Sequence, residues 1–262
     1  MNNTLLKGLS VLELLSRTDR PLNLTQIGKE LGMVKSNVHR LMQALVETRF
    51  VLRNEQDGTY SASIKLWELG SAVLAKIDLR RHAERQMEEL MNLTGESVHL
   101  SVLDGKEVVY VHKVDSPNPV RAYSQIGGRA PAPCVATGKA QLAFSGPDLL
   151  NEVAAQLRPF TARTIVDAEA FLREMRKVRE QGYAMNRSEW REDVWGIAAP
   201  VMDARGSVIA AVGISGPAGR FRKAVIGPWT EAVISAASDV SGALGGRQPM
   251  TGALARVRFG PR

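Results

Sequence analysis

Apolar residues recur at helical spacing through the first part of the chain. The leucines from Leu5 to Leu15 predict a first helix, with Thr4 in a position to cap it. A second short amphipathic segment follows a proline break. Thr25 is its predicted N-cap, and Gly32 suits a left-handed exit from its C-terminus. This part of the chain therefore predicts two consecutive helices.

A third helix is predicted from about Lys35, and a hairpin is predicted after it. The apolar runs 50–53 and 59–62 flank a segment that ends in Asp57–Gly58, which is a common hairpin turn. Helix, short turn, helix and hairpin together predict a winged helix-turn-helix. The predicted buried stripe of the third helix is Val38, Leu41, Leu45 and Val46.

The pattern changes beyond this unit. A long helix is predicted over about 64–93, with a break near 78–80. Alternating segments then predict strands, and they are interleaved with amphipathic helices, of which one is capped by Asp167 and ended by Gly182. This order indicates an α+β unit on an antiparallel sheet. The predicted strands are 97–103, 108–114, 121–126, 195–201 and 208–215; 127–133 is a predicted constrained loop, and the remaining predicted helices are 137–144, 149–157 and one from 228 to about 244.

Charge is concentrated at the two ends of the 262-residue chain. The net charge is +7 and the pI is about 9.7. Residues 1–80 carry 11 basic and 8 acidic residues, and 247–262 carry four arginines and no acid; the rest balances. An excess of this kind invites an anionic partner. The single cysteine excludes a disulfide framework, the four histidines lack metal-ligand spacing, and no signal or membrane-spanning segment is evident, which favours a cytoplasmic protein without metal or cofactor.

Short polar and basic residues gather on one face of the third helix and on the hairpin. Such residues can reach base edges and phosphates, whereas a solvated helix face is the alternative interpretation. The predicted DNA-binding residues are Thr25, Lys35, Ser36, Asn37, His39, Arg40, Arg49 and Arg53.

Several motifs were considered as catalytic or binding sites. The segment around Gly138–Lys139 lacks two of the residues that a phosphate loop needs, although a Gly–Lys pair at a helix start can attract an anion. Cys134 has no histidine nearby in sequence to act as its base, and it is predicted to be structural. No active site is assembled. The residues predicted to be solvated or structural are Glu189, Glu192, Asp193, His99 and His112.

Five segments resemble the IclR family of bacterial transcriptional regulators. They lie in the family's order and the resemblance covers about residues 5–245. The resemblance implies a winged helix-turn-helix joined by a helix to a GAF-like effector domain. It also implies dimers or tetramers on partly palindromic promoters of catabolic operons, with small organic or aromatic acids as effectors. The segments are LTQIGKELGMVKSNVHRLMQALVE, TGESVHLSVLDGKEVVYVHKV, IGGRAPAPCVATGKAQLAF, REQGYAMNRSEW and GIAAPVMDARGSVIAAVGISGP.

The resemblance also implies an effector pocket, and this chain departs from the family's pattern there. Asn186 stands where an acid is common, Gly196 where cysteine is frequent and Asp193 where glycine is frequent, and Ala122 and Ala130 are smaller than the usual aliphatics. These departures suggest a roomier pocket with a different polar pattern. The implied pocket residues are Ala122, Ala130, Ala136, Thr137, Asn186, Val194, Gly196, Gly213 and Ser215.

We therefore expect a ligand-responsive transcriptional regulator of α+β class. The expected partners are pseudo-palindromic double-stranded promoter DNA, a small organic acid and further copies of the chain. Two alternatives stay open: an enzyme that processes a small carboxylate in the second domain, and a DNA-binding protein whose second domain only oligomerises. The expected divisions are a DNA-binding domain (1–63), a linker helix (64–79), an effector-binding and oligomerisation domain (80–246) and a disordered basic tail (247–262).

Overall fold

The computed structural model describes residues 3–76 and 79–246. The chain divides into two compact units, Met1–Ile77 and Asp78–Arg262. One helix is described up to Lys76 and another from Leu79, and the helix break predicted near 78–80 falls at residues 77–78, which lie outside the described residues. The predicted basic tail, 247–262, lies outside the described residues.

The first unit is a three-helix bundle with a two-stranded antiparallel hairpin, followed by a fourth helix. Its core is formed by apolar side chains from the helices and both strands, including fully buried Val38 and Met42. The hairpin pairs Val51 with Ala62 and Arg53 with Tyr60. The elements are α1 (Asn3–Arg17), α2 (Leu24–Leu31), α3 (Lys35–Glu47), β1 (Val51–Arg53), β2 (Tyr60–Ala62) and α4 (Lys65–Lys76).

Two predicted helix caps are wrong. Thr4 lies inside α1, one residue after its start. Asn23, not Thr25, caps α2: its Oδ1 accepts the backbone N–H groups of Thr25 and Gln26, each at 3.0 Å. The Gln26 side chain returns the contact by accepting the Asn23 N–H at 2.9 Å, which completes a capping box. Gly32 does adopt the predicted left-handed conformation, with φ 62°.

The buried stripe of α3 is also shifted from the prediction. Val38 is buried as expected, but the second buried position is Met42. Leu41, Leu45 and Val46 are only partly buried against the core. The most deeply buried residues of α3 are therefore Val38 and Met42, which lie on the same face of the helix at i and i+4.

The second unit is a six-stranded antiparallel sheet between helices. The strand order is β5-β4-β3-β8-β7-β6. α5 and α9 pack together on one face, and α6 packs on the other across β3, β7 and β8. The elements are α5 (Leu79–Thr94), β3 (Ser97–Asp104), β4 (Glu107–Val114), β5 (Arg129–Pro131), α6 (Ala136–Leu142), α7 (Pro147–Ala154), α8 (Ala168–Gln181), β6 (Ala184–Arg187), β7 (Val194–Met202), β8 (Val208–Pro217) and α9 (Lys223–Ala243).

Most elements of this unit match the predicted order, and three differ. The segment 121–126 is not a strand, and a short strand instead forms at Arg129–Pro131 within the predicted loop. β6 was not predicted, because its four residues contain no β-branched or aromatic side chain. The last helix begins at Lys223 and carries Pro228 inside it, although a proline favours the first turn of a helix. Asp167 and Gly182 cap α8 as expected.

Candidate DNA-binding surface and ligand cavity

The N-terminal half of α3 presents an exposed polar and basic face. Lys35, Ser36, His39 and Arg40 are all exposed, and their spacing places them on one side of the helix; Asn37 is half-buried at the edge. The helix has 13 residues, which corresponds to a length of about 20 Å. A helix of this kind fits the width of the major groove and can contact base edges and phosphates.

The hairpin forms a rigid wing beyond α3. Gly58 has φ 67° in the turn, and the Asp57 carboxylate accepts the Thr59 N–H at 2.9 Å and its hydroxyl at 2.6 Å. The hydroxyl hydrogen bond lowers the pKa of Asp57, and the backbone bond adds to the effect. Arg53, on β1, is half-exposed and lies 3.8 Å from the exposed carboxylate of Glu55, a weak surface pair.

Arg49 occupies the position after α3 in the left-handed conformation, with φ 62°. This backbone region favours glycine, because a Cβ is strained there. Arg49, Arg53 and Lys65 border a shared depression at the C-terminal end of α3, which Glu55 and Glu68 also line. By the helical rise this end lies about 20 Å from Lys35. Thr25 lies exposed in the first turn of α2. The predicted DNA-binding residues therefore lie in three places: the α3 face, the depression by the wing and the first turn of α2.

A cavity opens in the second unit between the sheet, the start of α6 and two loops. The centre of a water molecule can occupy about 50 Å³ of it, which is room for a few ordered waters or a small group, and about 540 Å³ of space free of atoms lies within the cavity and its open mouth. Seven of the implied pocket residues line it together, and none of the lining residues is acidic. The full lining is His99, Tyr110, Ala122, Tyr123, Ser124, Val135, Ala136, Thr137, Asn186, Trp190, Arg191, Val194, Trp195, Gly196, Ile214 and Ser215.

Two implied pocket residues lie outside this lining. Ala130 is buried on β5, opposite Val108, in the apolar core. Gly213 pairs with Ala198, and a Cβ at Gly213 would meet the Ala198 Cβ at 2.5 Å. Both positions are therefore occupied by core packing.

Three residues in register across neighbouring strands form the floor of the cavity. Asn186 on β6 pairs with Gly196 on β7, and Gly196 pairs with Ser215 on β8. Two strand spacings separate Asn186 from Ser215, about 9.6 Å between their backbones. A Cβ at Gly196 would lie 2.9 Å from the Ile214 carbonyl oxygen and 3.5 Å from the Ala136 Cβ. The glycine thus keeps the floor open between two polar side chains.

The Asn186 amide carries an unused acceptor. Its Nδ2 donates to the Cys134 carbonyl at 2.7 Å, which fixes the orientation of the group. Its Oδ1 is buried and accepts no hydrogen bond from any described residue. An unpaired buried acceptor costs roughly 1–3 kcal/mol. A ligand that brings a donor to this atom would recover that energy.

His99 lies at the other end of the cavity between two serines. Its Nε2 is 2.7 Å from the Ser215 Oγ, and its Nδ1 is 3.0 Å from the Ser124 Oγ. Burial lowers the pKa of His99 to about 4, and burial raises the pKa of the adjacent Tyr110 to about 12. The sequence predicts a structural His99. The signal for a site is the alternation Ser97, His99, Ser101, which places polar residues on one face of β3.

Aromatic and basic groups form the mouth. The Arg191 guanidinium lies 4.3 Å from the centre of the Trp190 ring and donates to the Tyr123 carbonyl at 3.2 Å. Trp190, Arg191 and Tyr123 were not predicted as pocket residues, because they belong to loops without a periodic pattern. They give the cavity a ring-stacking wall and one cation at its edge.

Lys139 does not present its charge to an anion at the start of α6, as its sequence position allowed. Its side chain is 1% exposed, and its ammonium donates to the Glu189 Oε1 at 2.6 Å and the Met185 carbonyl at 3.2 Å. Glu174 lies 3.8 Å away. The lysine charge is therefore compensated by Glu189 inside the unit, and it is not available to a ligand at the start of α6. The prediction that Glu189 is solvated is wrong.

The structure agrees with the prediction for Glu192, Asp193 and Cys134, and it differs for His112. Glu192 and Asp193 are exposed, as expected. Neither ring nitrogen of His112 has a hydrogen-bond partner among the described residues, and its Nε2 lies 3.8 Å from the Glu84 carboxylate, so it is not the satisfied histidine that was expected. Cys134 is buried, and burial raises the pKa of its thiol to about 12, which removes the thiolate that a nucleophile requires.

A winged helix-turn-helix and a separate α+β unit with a cavity of this lining define a DNA-binding regulator with a ligand-binding domain. The comparison with known proteins identifies the family. The chain matches the family models described as IclR helix-turn-helix domain over residues 4–55 and Bacterial transcriptional regulator IclR C-terminal over residues 71–242. The chain belongs to the IclR family of transcriptional regulators, as the sequence resemblance indicated.

Relatives and solved structures agree over nearly the whole chain. The transcriptional regulator KdgR of Escherichia coli K12 is 36% identical over 245 residues, which is 93% of each protein. The IclR crystal structure from Thermotoga maritima is 32% identical with TM-score 0.78, covering 94% of this chain and all of that one. An IclR homologue from Microbacterium hydrocarbonoxydans, complexed with 4-hydroxybenzoate, is 27% identical with TM-score 0.81, covering 92% and 99%.

These matches decide against the alternative that the chain is an enzyme. The chain is a transcriptional regulator, because its relatives carry that function and its matches lie in regulatory, not catalytic, domains. Among the described residues, no helix has both the length and the apolar character needed to cross a bilayer.

Proposed function

We propose that this chain is a cytoplasmic, effector-responsive regulator of a catabolic operon. It binds pseudo-palindromic promoter DNA as a homodimer or tetramer, and a small organic acid in the second unit changes that binding. The unpaired Asn186 Oδ1, set across the Gly196 floor from Ser215, is the observation that supports a bound effector.

The DNA-binding part of the proposal rests on the exposed face of α3. Lys35, Ser36, His39 and Arg40 face outward together, whereas Val38 and Met42 hold the helix to the core. Base contacts from this face would specify the sequence, and Arg49 and Arg53 by the wing would contact phosphates.

Arg40→Ala tests that surface. We expect weaker promoter binding and a salt dependence whose log–log slope is shallower by about 0.9, the value for one lost phosphate contact. Arg17→Ala is the matched control, because it removes the same charge from an exposed position on α1. Fluorescence anisotropy of labelled promoter DNA between 50 and 200 mM salt, conditions in which such contacts are sensitive, measures both. An unchanged slope in Arg40→Ala would remove this residue from the interface.

The effector is proposed to be an acid with a ring or short chain and a hydrogen-bond donor at its far end. Thr137 and Ser215 offer hydroxyl groups to a carboxylate, and Arg191 supplies a cation at the mouth. The absence of acidic residues from the lining permits a bound anion. Trp190, Tyr110 and Trp195 supply apolar walls. The 4-hydroxybenzoate bound by the Microbacterium homologue has this polarity, with a carboxylate and a hydroxyl at opposite ends.

Thermal unfolding with a panel of pyruvate, benzoate and 4-hydroxybenzoate tests the effector. A ligand at 100 times its Kd stabilises the folded state by about 2.7 kcal/mol. For a unit of this size that corresponds to a rise of about 5–10 °C. Asn186→Leu should abolish the preference for 4-hydroxybenzoate over benzoate, because it removes the acceptor for the hydroxyl. If all three acids leave the unfolding temperature and promoter binding unchanged, this effector class is wrong.

A further inference from the structure

Ser124, His99 and Ser215 form a hydrogen-bonded network that joins two strands and a loop. His99 is on β3, Ser215 is on the adjacent strand β8, and Ser124 lies in the loop before β5. Both serine oxygens are within hydrogen-bond distance of the ring, at 2.7 Å for Ser215 and 3.0 Å for Ser124. All three residues line the cavity.

The network of Ser124, His99 and Ser215 has one more hydrogen-bonding proton than it has internal hydrogen bonds. A neutral imidazole has one N–H and one acceptor nitrogen, and each serine has one O–H. Two of these three protons fill the two internal bonds. The third proton belongs to a serine hydroxyl and is available to an acceptor outside this network of three residues. The tautomer of His99 decides which serine holds it: with the proton on Nε2, His99 donates to Ser215, Ser124 donates to Nδ1, and the Ser215 proton is free.

The charges around His99 keep it neutral. Burial is the main cause of its lowered pKa, Lys113 on β4 lowers it further, and Asp115 opposes them. Tyr110 packs against it with 5.4 Å between the rings and is itself neutral at physiological pH. Arg191, in the opposite loop, lowers the pKa of Tyr110 against the larger effect of burial, and Lys139 of α6 is already paired with Glu189. On the other face of the sheet, Glu84 and Glu88 of α5 raise the pKa of His112 against the larger effect of burial.

We propose that His99 is a positioning residue for the effector: with its proton on Nε2 it directs the Ser215 hydroxyl toward an acceptor atom, such as a carboxylate oxygen, bound over Gly196. The Ser215 end is favoured because Ser215 is in register with Gly196 on the cavity floor, whereas Ser124 lies in a loop. This inference rests on the proposed effector site and adds the group that recognises the acid end of the ligand.

Acetate is the probe, because it carries the carboxylate alone. Nitrogen-15 labelling of the histidines in the full chain allows proton–nitrogen correlation spectra to report the protonation and tautomer of each ring. His99→Gln identifies the His99 signals. His112 is the internal control, since it is also buried but lies on the other face of the sheet beside α5.

Acetate should perturb the His99 signals saturably, and the bound state should be neutral with the proton on Nε2, whereas His112 should not change. Ser215→Ala should weaken acetate binding roughly tenfold or more, the usual effect of losing a hydrogen bond to a charged group. Ser124→Ala should weaken it less than threefold, because the Ser215 donor remains. Circular dichroism confirms that both variants fold.

Three results would overturn the inference: no response of His99 to acetate at 100 mM, a bound state with the proton on Nδ1, or equal losses in the two serine variants. Any of them would leave the proposed function standing if an acid of the thermal panel still changes promoter binding. If no acid does so but acetate gives the expected spectra, the anion site is present and the proposed regulation is wrong.

Discussion

Lys139 and Glu189 form a buried ion pair behind the cavity wall, and Glu189→Gln tests what it contributes. The substitution keeps the shape of the side chain and removes its charge. It leaves a lysine that is 1% exposed beside one remaining carboxylate, Glu174, at 3.8 Å with 25% exposure. The pair joins α6 to the loop that carries Trp190 and Arg191, so it holds two sides of the cavity together.

The expected loss follows from the burial of the two partners. Removing one member of a buried pair costs about 3–5 kcal/mol, because the other charge is left without compensation. The lower end applies, since Glu174 still faces the lysine. A loss of about 3 kcal/mol lowers the unfolding temperature by about 6–12 °C in a unit of this size. Burial raises the pKa of Glu189 despite the opposing effect of Lys139, which indicates a substantial desolvation cost for the pair. Lys139→Met with Glu189→Leu should therefore stay within about 1–2 kcal/mol of the unmodified chain.

Urea and thermal unfolding of the single and double variants measure these differences. Glu192→Gln is the matched control, because it neutralises an exposed carboxylate in the same loop and should change stability by less than about 0.5 kcal/mol. If Glu189→Gln unfolds at the temperature of the unmodified chain, or if the effects of Lys139→Met and Glu189→Leu simply add, the pair does not act as an energetic unit.

Three further outcomes are expected. Arg49→Gly should stabilise the first unit by about 1 kcal/mol in urea unfolding, because the left-handed conformation strains any residue with a Cβ; a loss of stability would contradict that. Cys134 should resist alkylation at pH 8 until the chain unfolds, since burial raises its thiol pKa to about 12; rapid labelling of the native protein would show that it is accessible. His99 has its folded-state pKa lowered to about 4, so its contribution to stability is present above pH 6.5 and is lost as the pH falls toward 4, by about 3 kcal/mol. His99→Gln should flatten the stability profile over that interval, and an unchanged profile would show that His99 is not buried as described.

The elements with strong periodicity or defined turn chemistry could be predicted from the sequence. Asp167 and Gly182 bound α8, and Asp57–Gly58 turns the wing, because capping and turn preferences are local. The N-terminus of α2 was misplaced by two residues, because Asn23 and Thr25 are both good caps and the choice depends on the reciprocal bond from Gln26. β6 was missed because its strand conformation is imposed by pairing with β7.

The cavity was predicted in part, and only through the family resemblance. Asn186, Gly196 and Ser215 are far apart in sequence, and strand register alone brings them together. The sequence predicts a solvated Glu189, because its partner, Lys139, lies 50 residues away. It predicts a structural His99, because the two serine partners lie in other elements. Pairings of this kind depend on tertiary contacts that composition and periodicity do not contain.

The central claim is that an acid in the second unit changes DNA binding by the first. The most direct test is anisotropy of a labelled DNA fragment from upstream of the chain's own gene, titrated with protein in the presence and absence of the panel acid that gives the largest thermal shift. We expect at least a fivefold change in Kd, which corresponds to a coupling of about 1 kcal/mol; with 4-hydroxybenzoate, Asn186→Leu should reduce the change to the one that benzoate gives. A ligand that raises the unfolding temperature but leaves the DNA affinity unchanged would contradict the account and would favour a second unit that binds without regulating.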